Sequence, residues 1–214
     1  GYDEYNFTNV TTALTNFCVN DLSSFFLDFS KDTLYCDKKD SKERIDTQYV
    51  LFVIVKSLAI AYSPILAFTR EEVYQTLSFD GKKESVILED YPSFDGIDEN
   101  LSKKYALLLS LRSKVNTLIE PLRKENQIHS SSEAKVLYAP ESEEEKKLIE
   151  ELGKEELSRI FIISGFETAP KSSVISHPGT RCDRCWNYFD DISVDEEGNH
   201  LCHRCEKIVH PEGK

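Results

Sequence analysis

Two C-x-x-C pairs, Cys182/Cys185 and Cys202/Cys205, face each other across sixteen residues in "RCDRCWNYFDDISVDEEGNHLCHRC". No other feature of the chain constrains its fold as tightly. One C-x-x-C turn lets two sulfurs reach a single ion from a tight loop. A second turn closes a tetrahedral shell of four thiolates, the usual form of structural zinc. Four protein ligands leave no open position for a water, so the spacing predicts one structural Zn2+ and no metal-based catalysis. The segment has few apolar residues (Trp186, Tyr188, Phe189, Ile192, Leu201, Ile208). They are too few to hold a core without the metal. A disulfide framework is the competing use of cysteine, but six cysteines in 214 residues is sparse for one. Cys18 and Cys36 lie outside the pattern and are expected to be buried thiols.

Upstream, the apolar spacing is helical. Val10, Leu14, Phe17, Leu22, Phe25 and Phe29 recur every three to five residues and predict a helix over 7–35. Residues 43–62 are apolar nearly all round and predict a helix in the middle of a bundle. The run over 49–68 invites a membrane reading, but Lys56 and Pro64 interrupt it and no second span follows. A buried helix in a cytoplasmic protein is the expectation. Thr69 with Glu72 makes a capping box for a short helix ending near Leu77. Residues 78–98 form a long connection. Leu101, Tyr105, Leu108, Leu111, Val115, Leu118 and Ile119 predict a third long helix, which Pro121 should kink or end.

Beyond residue 127 the character changes. "EAKVLYA" (133–139) predicts a strand, and "SEEEKKLIEELG" a helix with Ser142 as N-cap and Gly153 past its end. "RIFIIS" (159–164) predicts a second strand, and residues 168–176 a third that starts after Pro170. The expected architecture is mainly α: a helical bundle over 1–127, a small α/β junction over 128–179, and a zinc-ribbon-like module with four cysteine ligands over 180–214.

The net charge of −12 offers no broad field for nucleic acid or an anionic membrane. Charge is uneven, and residues 99–127 hold six Lys/Arg against three Glu. Arg181, Arg184, Arg204 and Lys207 surround the cysteines. Four thiolates on one Zn2+ leave the cluster at about −2, which nearby cations offset. Contact with a phosphate backbone is the other use of these arginines, and sequence leaves both open. Trp186 either caps the metal core or presents a face for a base to stack on.

"CDRCW" followed by "LCHRC" resembles the zinc module of bacterial-type isoleucyl-tRNA synthetases, and a related module closes the formamidopyrimidine-type DNA glycosylases. "NFCVNDLSSFFLDFSKDTLY", "SPILAFTREEVY", "SVILEDYP" and "LRSKVNTLIEPLRKENQIHSSSEAKVLY" resemble, in order, segments of the synthetase family's anticodon-binding helical domain and of the stretch before its zinc module. The resemblance spans nearly the whole chain and implies a C-terminal region of such an enzyme. It implies an anticodon-binding type of bundle that holds the anticodon stem-loop of isoleucine tRNA. ATP, Mg2+ and isoleucine would be handled by a catalytic domain whose motifs are absent here, as are those of the editing domain. It points to Lys31, Tyr35, Arg44, Gln48, Arg112, Arg123, Arg181, Arg184, Trp186 and Arg204 as RNA-facing, and to no catalytic residue. A monomer that binds no membrane and no DNA is implied. The family pattern has arginines where Thr33 and Glu43 stand. Two other readings compete: a glycosylase-type DNA-binding module, whose N-terminal catalytic proline and glutamate are not found in "GYDEYNF", and a zinc-stabilised protein-interaction scaffold.

Overall fold

The computed structural model describes residues 1–93 and 96–211. Residues 94–95 of the expected connection and 212–214 of the expected metal module lie outside the described residues. The first helical stretch runs without interruption but changes pitch: α1 spans Phe7–Asn16, a π-helical segment Phe17–Leu27, and α2 Asp28–Cys36. α3 spans Lys42–Ala61, α4 Ala67–Thr76 and α5 Glu99–Lys124. β1 (Ala134–Tyr138), α6 (Glu143–Phe161), β2 (Gly165–Thr168) and β3 (Ser173–Ser176) come next. Two short hairpins, β4 (Thr180–Arg181) with β5 (Tyr188–Phe189) and β6 (Ser193–Val194) with β7 (His200–Leu201), precede α7 (His203–Val209). The chain forms two compact units, one of Gly1–Lys38 with Asn100–Lys214 and one of Lys39–Glu99.

In the larger unit, β1 is the central strand. It pairs in parallel with β2 and antiparallel with β3. The parallel pairing needs a crossover, which α6 supplies. Ala134, Val136 and Tyr138 alternate inward along β1, and Leu108, Leu111, Val115 and Ile119 line one stripe of α5. They close one core with Leu148, Ile149, Leu157, Ile160, Phe161 and Phe166. In the smaller unit, Ala59 and Ile60 of α3 pack with Tyr74, Val86 and Phe79. Lys56, the charge inside the apolar run, lies 4.1 Å over the Phe79 ring and 3.6 Å from Glu89. Among the described residues, no helix is long and apolar enough to cross a membrane.

Several sequence expectations are corrected. "RIFIIS" is not a strand: Leu157, Ile160 and Phe161 are spaced as a helical stripe and α6 ends at Phe161. A short apolar run fits either element, and packing on β2 within the core shared with α5 and β1 selected the helix. Gly153 (φ 75°, ψ 161°) ends the first helix of α6 as its position predicts, but a second helix, which was not expected, continues directly from it to Phe161. The expected strand after Pro170 is β3, and β2, over Gly165–Thr168, is a strand that the sequence reading did not place. Thr69 is not an N-cap, because α4 begins at Ala67 and Leu66 takes the cap position without a side-chain bond. α5 runs through Pro121 to Lys124. Proline there lies within the last turn and removes a single bond, to the Thr117 carbonyl. α3 is not buried all round; Ile45, Tyr49 and Val50 are exposed. Within its unit α4, Phe79 and residues 86–88 pack on it.

A buried carboxylate joins α5 to α6. Glu145 is 3% exposed. It accepts from Lys114 Nζ at 2.7 Å, Tyr138 Oη at 3.1 Å and the Glu141 amide at 2.9 Å. Burial alone would raise its pKa, but the Lys114, Glu141 and Tyr138 donors outweigh that and lower it below 4.5. A depressed folded pKa gives stability that is present above the unfolded value and lost as pH falls through the folded one. Glu145→Ala, which strands these donors, should lose on the order of 1–3 kcal/mol in urea unfolding at neutral pH. The gap to wild type should close as the pH drops below about 4, near the unfolded carboxylate value.

Candidate metal centre and nucleic-acid interface

The four cysteines come from two knuckles. Cys182 and Cys185 follow β4, where the turn closes because the Trp186 amide donates to the Cys182 carbonyl and the Cys182 amide to the Asn187 carbonyl, both at 2.9 Å. Gly179, just before β4, lies so close to β5 that a Cβ would sit 2.2 Å from the Phe189 carbonyl oxygen. Cys202 follows β7 as the N-cap of α7, and Cys205 lies one turn into that helix. All four Sγ atoms lie within 4.8 Å of one another. The Cys185 and Cys202 sulfurs are 3.9 Å apart. That matches the roughly 3.8 Å edge of a tetrahedron with Zn–S bonds of about 2.3 Å. It is far beyond the ~2.05 Å of a disulfide. The donor set and the spacing both fit zinc. Nearby histidines turn elsewhere: His200 Nδ1 is 3.5 Å from Asp183, and His210 Nε2 is 3.4 Å from Asp195.

Arg184 faces this cluster. Its Nη1 lies 3.5 Å from Cys205 Sγ, while the Cys202 amide donates to Cys182 Sγ at 3.4 Å. Both offset thiolate charge. The same guanidinium reaches out of the module. Nη1 donates to the Cys36 carbonyl at 2.5 Å and Nη2 to the Tyr35 carbonyl at 3.4 Å. These carbonyls end α2 and have no partner within the helix, so Arg184 caps it. In return Cys36 Sγ donates to the Arg184 carbonyl at 3.8 Å. Burial, with Asp32 nearby, pushes the Cys36 thiol up to about 11 and keeps it a neutral donor.

Arg204, from α7, makes the second link. Its Nη1 and Nη2 meet Asp32 Oδ2 and Oδ1, each at 2.6 Å, and Nη1 also lies 3.2 Å from Asp37. A two-pronged fork of this kind is stronger than a single ion pair and fixes orientation. Arg184 and Arg204 therefore face protein and thiolate. The resemblance points to both as RNA-facing; the structure gives both of them partners within the protein, about 150 or more residues away in sequence. Asp32 and Asp37 are the functional positions that sequence reasoning missed, and no local signal marks them.

The other expected RNA-facing residues fall into three settings. Arg112 is drawn inward: it donates to the Ser24 carbonyl at 3.2 Å, lies 3.6 Å from Asp28 and sits over the Phe25 ring. Arg44 and Gln48 lie on α3 in the smaller unit, Arg44 half-buried and Gln48 exposed. Lys31, Tyr35, Arg123, Arg181 and Trp186 are exposed. Lys31 pairs with Asp28 at 3.0 Å and Arg123 with Glu120 at 3.2 Å. Thr33, where the family pattern has arginine, is 2% exposed and accepts from Arg159 Nη1 at 2.8 Å.

Residues 1–138 match the family described as the anticodon-binding domain of tRNA ligase, and residues 179–208 the zinc finger found in FPG and IleRS. The chain is 35% identical over 220 residues to an isoleucine–tRNA ligase of Staphylococcus epidermidis, covering 97% of this chain and 24% of that protein. It is 34% identical to that of Staphylococcus carnosus and 35% identical to that of Staphylococcus aureus, with the same coverage. The chain thus spans about a quarter of the length of these relatives. With more than half of its residues matched in one stretch and the thiolate cluster matched in another, the chain belongs to the family of tRNA-ligase anticodon-binding domains that carry this zinc finger.

Proposed function

We propose that this chain is the tRNA-binding C-terminal region of an isoleucine–tRNA ligase, active in the cytoplasm as a monomer. It holds the anticodon stem-loop of isoleucine tRNA while a separate catalytic domain, with ATP and Mg2+, attaches isoleucine. One structural zinc on Cys182, Cys185, Cys202 and Cys205 holds the terminal module together. The helical bundle over 1–127, the α/β junction over 128–179 and the metal module over 180–214 are the working divisions of this reading. The zinc-finger family spans both FPG and isoleucine enzymes; the anticodon-domain match over 1–138 favours the RNA reading over a DNA one.

The observation that carries the proposal is Trp186. It has φ +64° and is 66% exposed. A bulky residue at positive φ is an outlier that costs on the order of 1–3 kcal/mol. The knuckle imposes that backbone, and glycine would satisfy it without strain. A tryptophan held there, with its indole Nε1 already donating to the Asp183 carbonyl at 3.1 Å, offers an aromatic face with its polar edge satisfied. Anticodon bases are read largely by such stacking and by hydrogen bonds to splayed edges, with a few cations on phosphates. An acidic chain can do this. Tyr35, 77% exposed at the end of α2, supplies a second aromatic, and Lys31 and Arg181 the cations.

Trp186→Gly separates function from folding. The metal module should keep its zinc and unfold no more easily than wild type, because the strain at this position is relieved. Binding of isoleucine tRNA, followed by fluorescence anisotropy, should weaken by about 1–3 kcal/mol, the cost of losing one stacked base. Unchanged affinity would remove the tryptophan from the interface. Chelation gives an independent check. Structural zinc contributes an apparent ~10–16 kcal/mol in small fingers. Stripping it should abolish hydrogen-exchange protection over residues 180–210 and leave that of α5 and β1 in place.

A further inference from the structure

The two half-buried arginines, Arg184 and Arg204, have a role of their own. Arg184 touches three things at once: the Cys205 thiolate, the Cys36 carbonyl and the Tyr35 carbonyl. Arg204 stands in the same helix as Cys205 and forks onto Asp32, one helical turn before the end of α2. Asp37, just past that end, takes Arg204 from the other side. The last turn of α2 is thus held by two guanidinium groups, each anchored within a few residues of a cysteine ligand. The carboxylates lie largely out of solvent, Asp32 at 19% and Asp37 at 17% side-chain exposure. In that setting a charge-assisted fork is screened less than an open surface pair. Tyr35 and Trp186 flank the link, one on α2 and the other immediately after Cys185.

We propose that Arg184 and Arg204 are positioning residues that latch the end of α2 to the metal module, so that metal occupancy fixes Tyr35 and Trp186 in one register as a composite surface for RNA bases. The RNA half of this rests on the function proposed above; the latch itself does not. Without metal, the knuckles lose the geometry that presents Arg184 to the α2 carbonyls, and the α2 terminus loses its cap. Conversely, Arg184 is an outer partner of the thiolate shell. Removing such a partner costs roughly 10–100-fold in metal affinity.

The test uses the full chain with hydrogen exchange, zinc competition and binding of an isoleucine anticodon stem-loop. Zinc removal should strip protection from the amides of residues 32–38, although none of them is a metal ligand. Arg204→Asp should do the same with zinc still bound, and should weaken stem-loop binding. Asp32→Arg combined with Arg204→Asp, which reverses the pair, should restore both; a purely local packing defect would not be rescued in this way. Arg184→Ala should lower zinc affinity by roughly 10–100-fold, and Arg184→Lys should recover part of it. If residues 32–38 keep their protection after zinc removal and in Arg204→Asp, the latch is overturned, whatever the RNA does. If the exchange and rescue results hold but no variant binds the stem-loop, the latch stands and the RNA-binding function fails.

Discussion

The fork between Arg204 and Asp32, backed by Arg184 on the α2 carbonyls, is the constraint on which the arrangement of the larger unit's surface depends. A module of two hairpins and a seven-residue helix has too little apolar area to choose its own place on a larger body. Four buried or half-buried cysteines, Leu201, Phe189 and Ile192 form nearly all of its core. Directional, charge-assisted bonds make that choice instead. They join α7 and the first knuckle to a helix end that otherwise has unsatisfied carbonyls, so each side supplies what the other lacks. Ser164 adds a third tie, accepting from the Tyr188 amide at 2.6 Å and linking the segment after α6 to β5.

How far the sequence was legible depends on which signals are local. The cysteine knuckles are local, and the four sulfurs converge as their spacing predicts. The α5 stripe and the alternation along β1 are also local, and both appear in the core. Ser142 caps α6 as its position before an acidic turn implies. What failed was decided by distant partners. "RIFIIS" could be strand or helix until the shared core and β2 packed on it. α3, apolar nearly all round, was expected at the centre of a bundle, yet Ile45, Tyr49 and Val50 are exposed. The π-helical pitch of Phe17–Leu27 has no signal in the apolar spacing, which that segment satisfies as well as an α-helix would.

The candidate site divides in the same way. Residue type and spacing found the metal ligands and singled out Trp186, Arg184 and Arg204. They did not say which of these meet solvent. Arginine beside a thiolate cluster has two physical uses, and Asp32, Asp37 and the α2 carbonyls supply partners within the protein that the sequence did not show. Trp186 shows the opposite case. Its identity was visible, but its significance lies in a backbone angle set by the knuckle. A strained, exposed aromatic where glycine would be comfortable is a cost in stability that binding can explain.

The central claim is that this chain distinguishes an anticodon through a metal-organised surface. Its most direct test is the affinity of the zinc-loaded chain for isoleucine tRNA, set against the same tRNA carrying a different anticodon. The expected result is clear discrimination between the two, lost when zinc is removed. Equal affinity for both, or discrimination that survives without zinc, would contradict it.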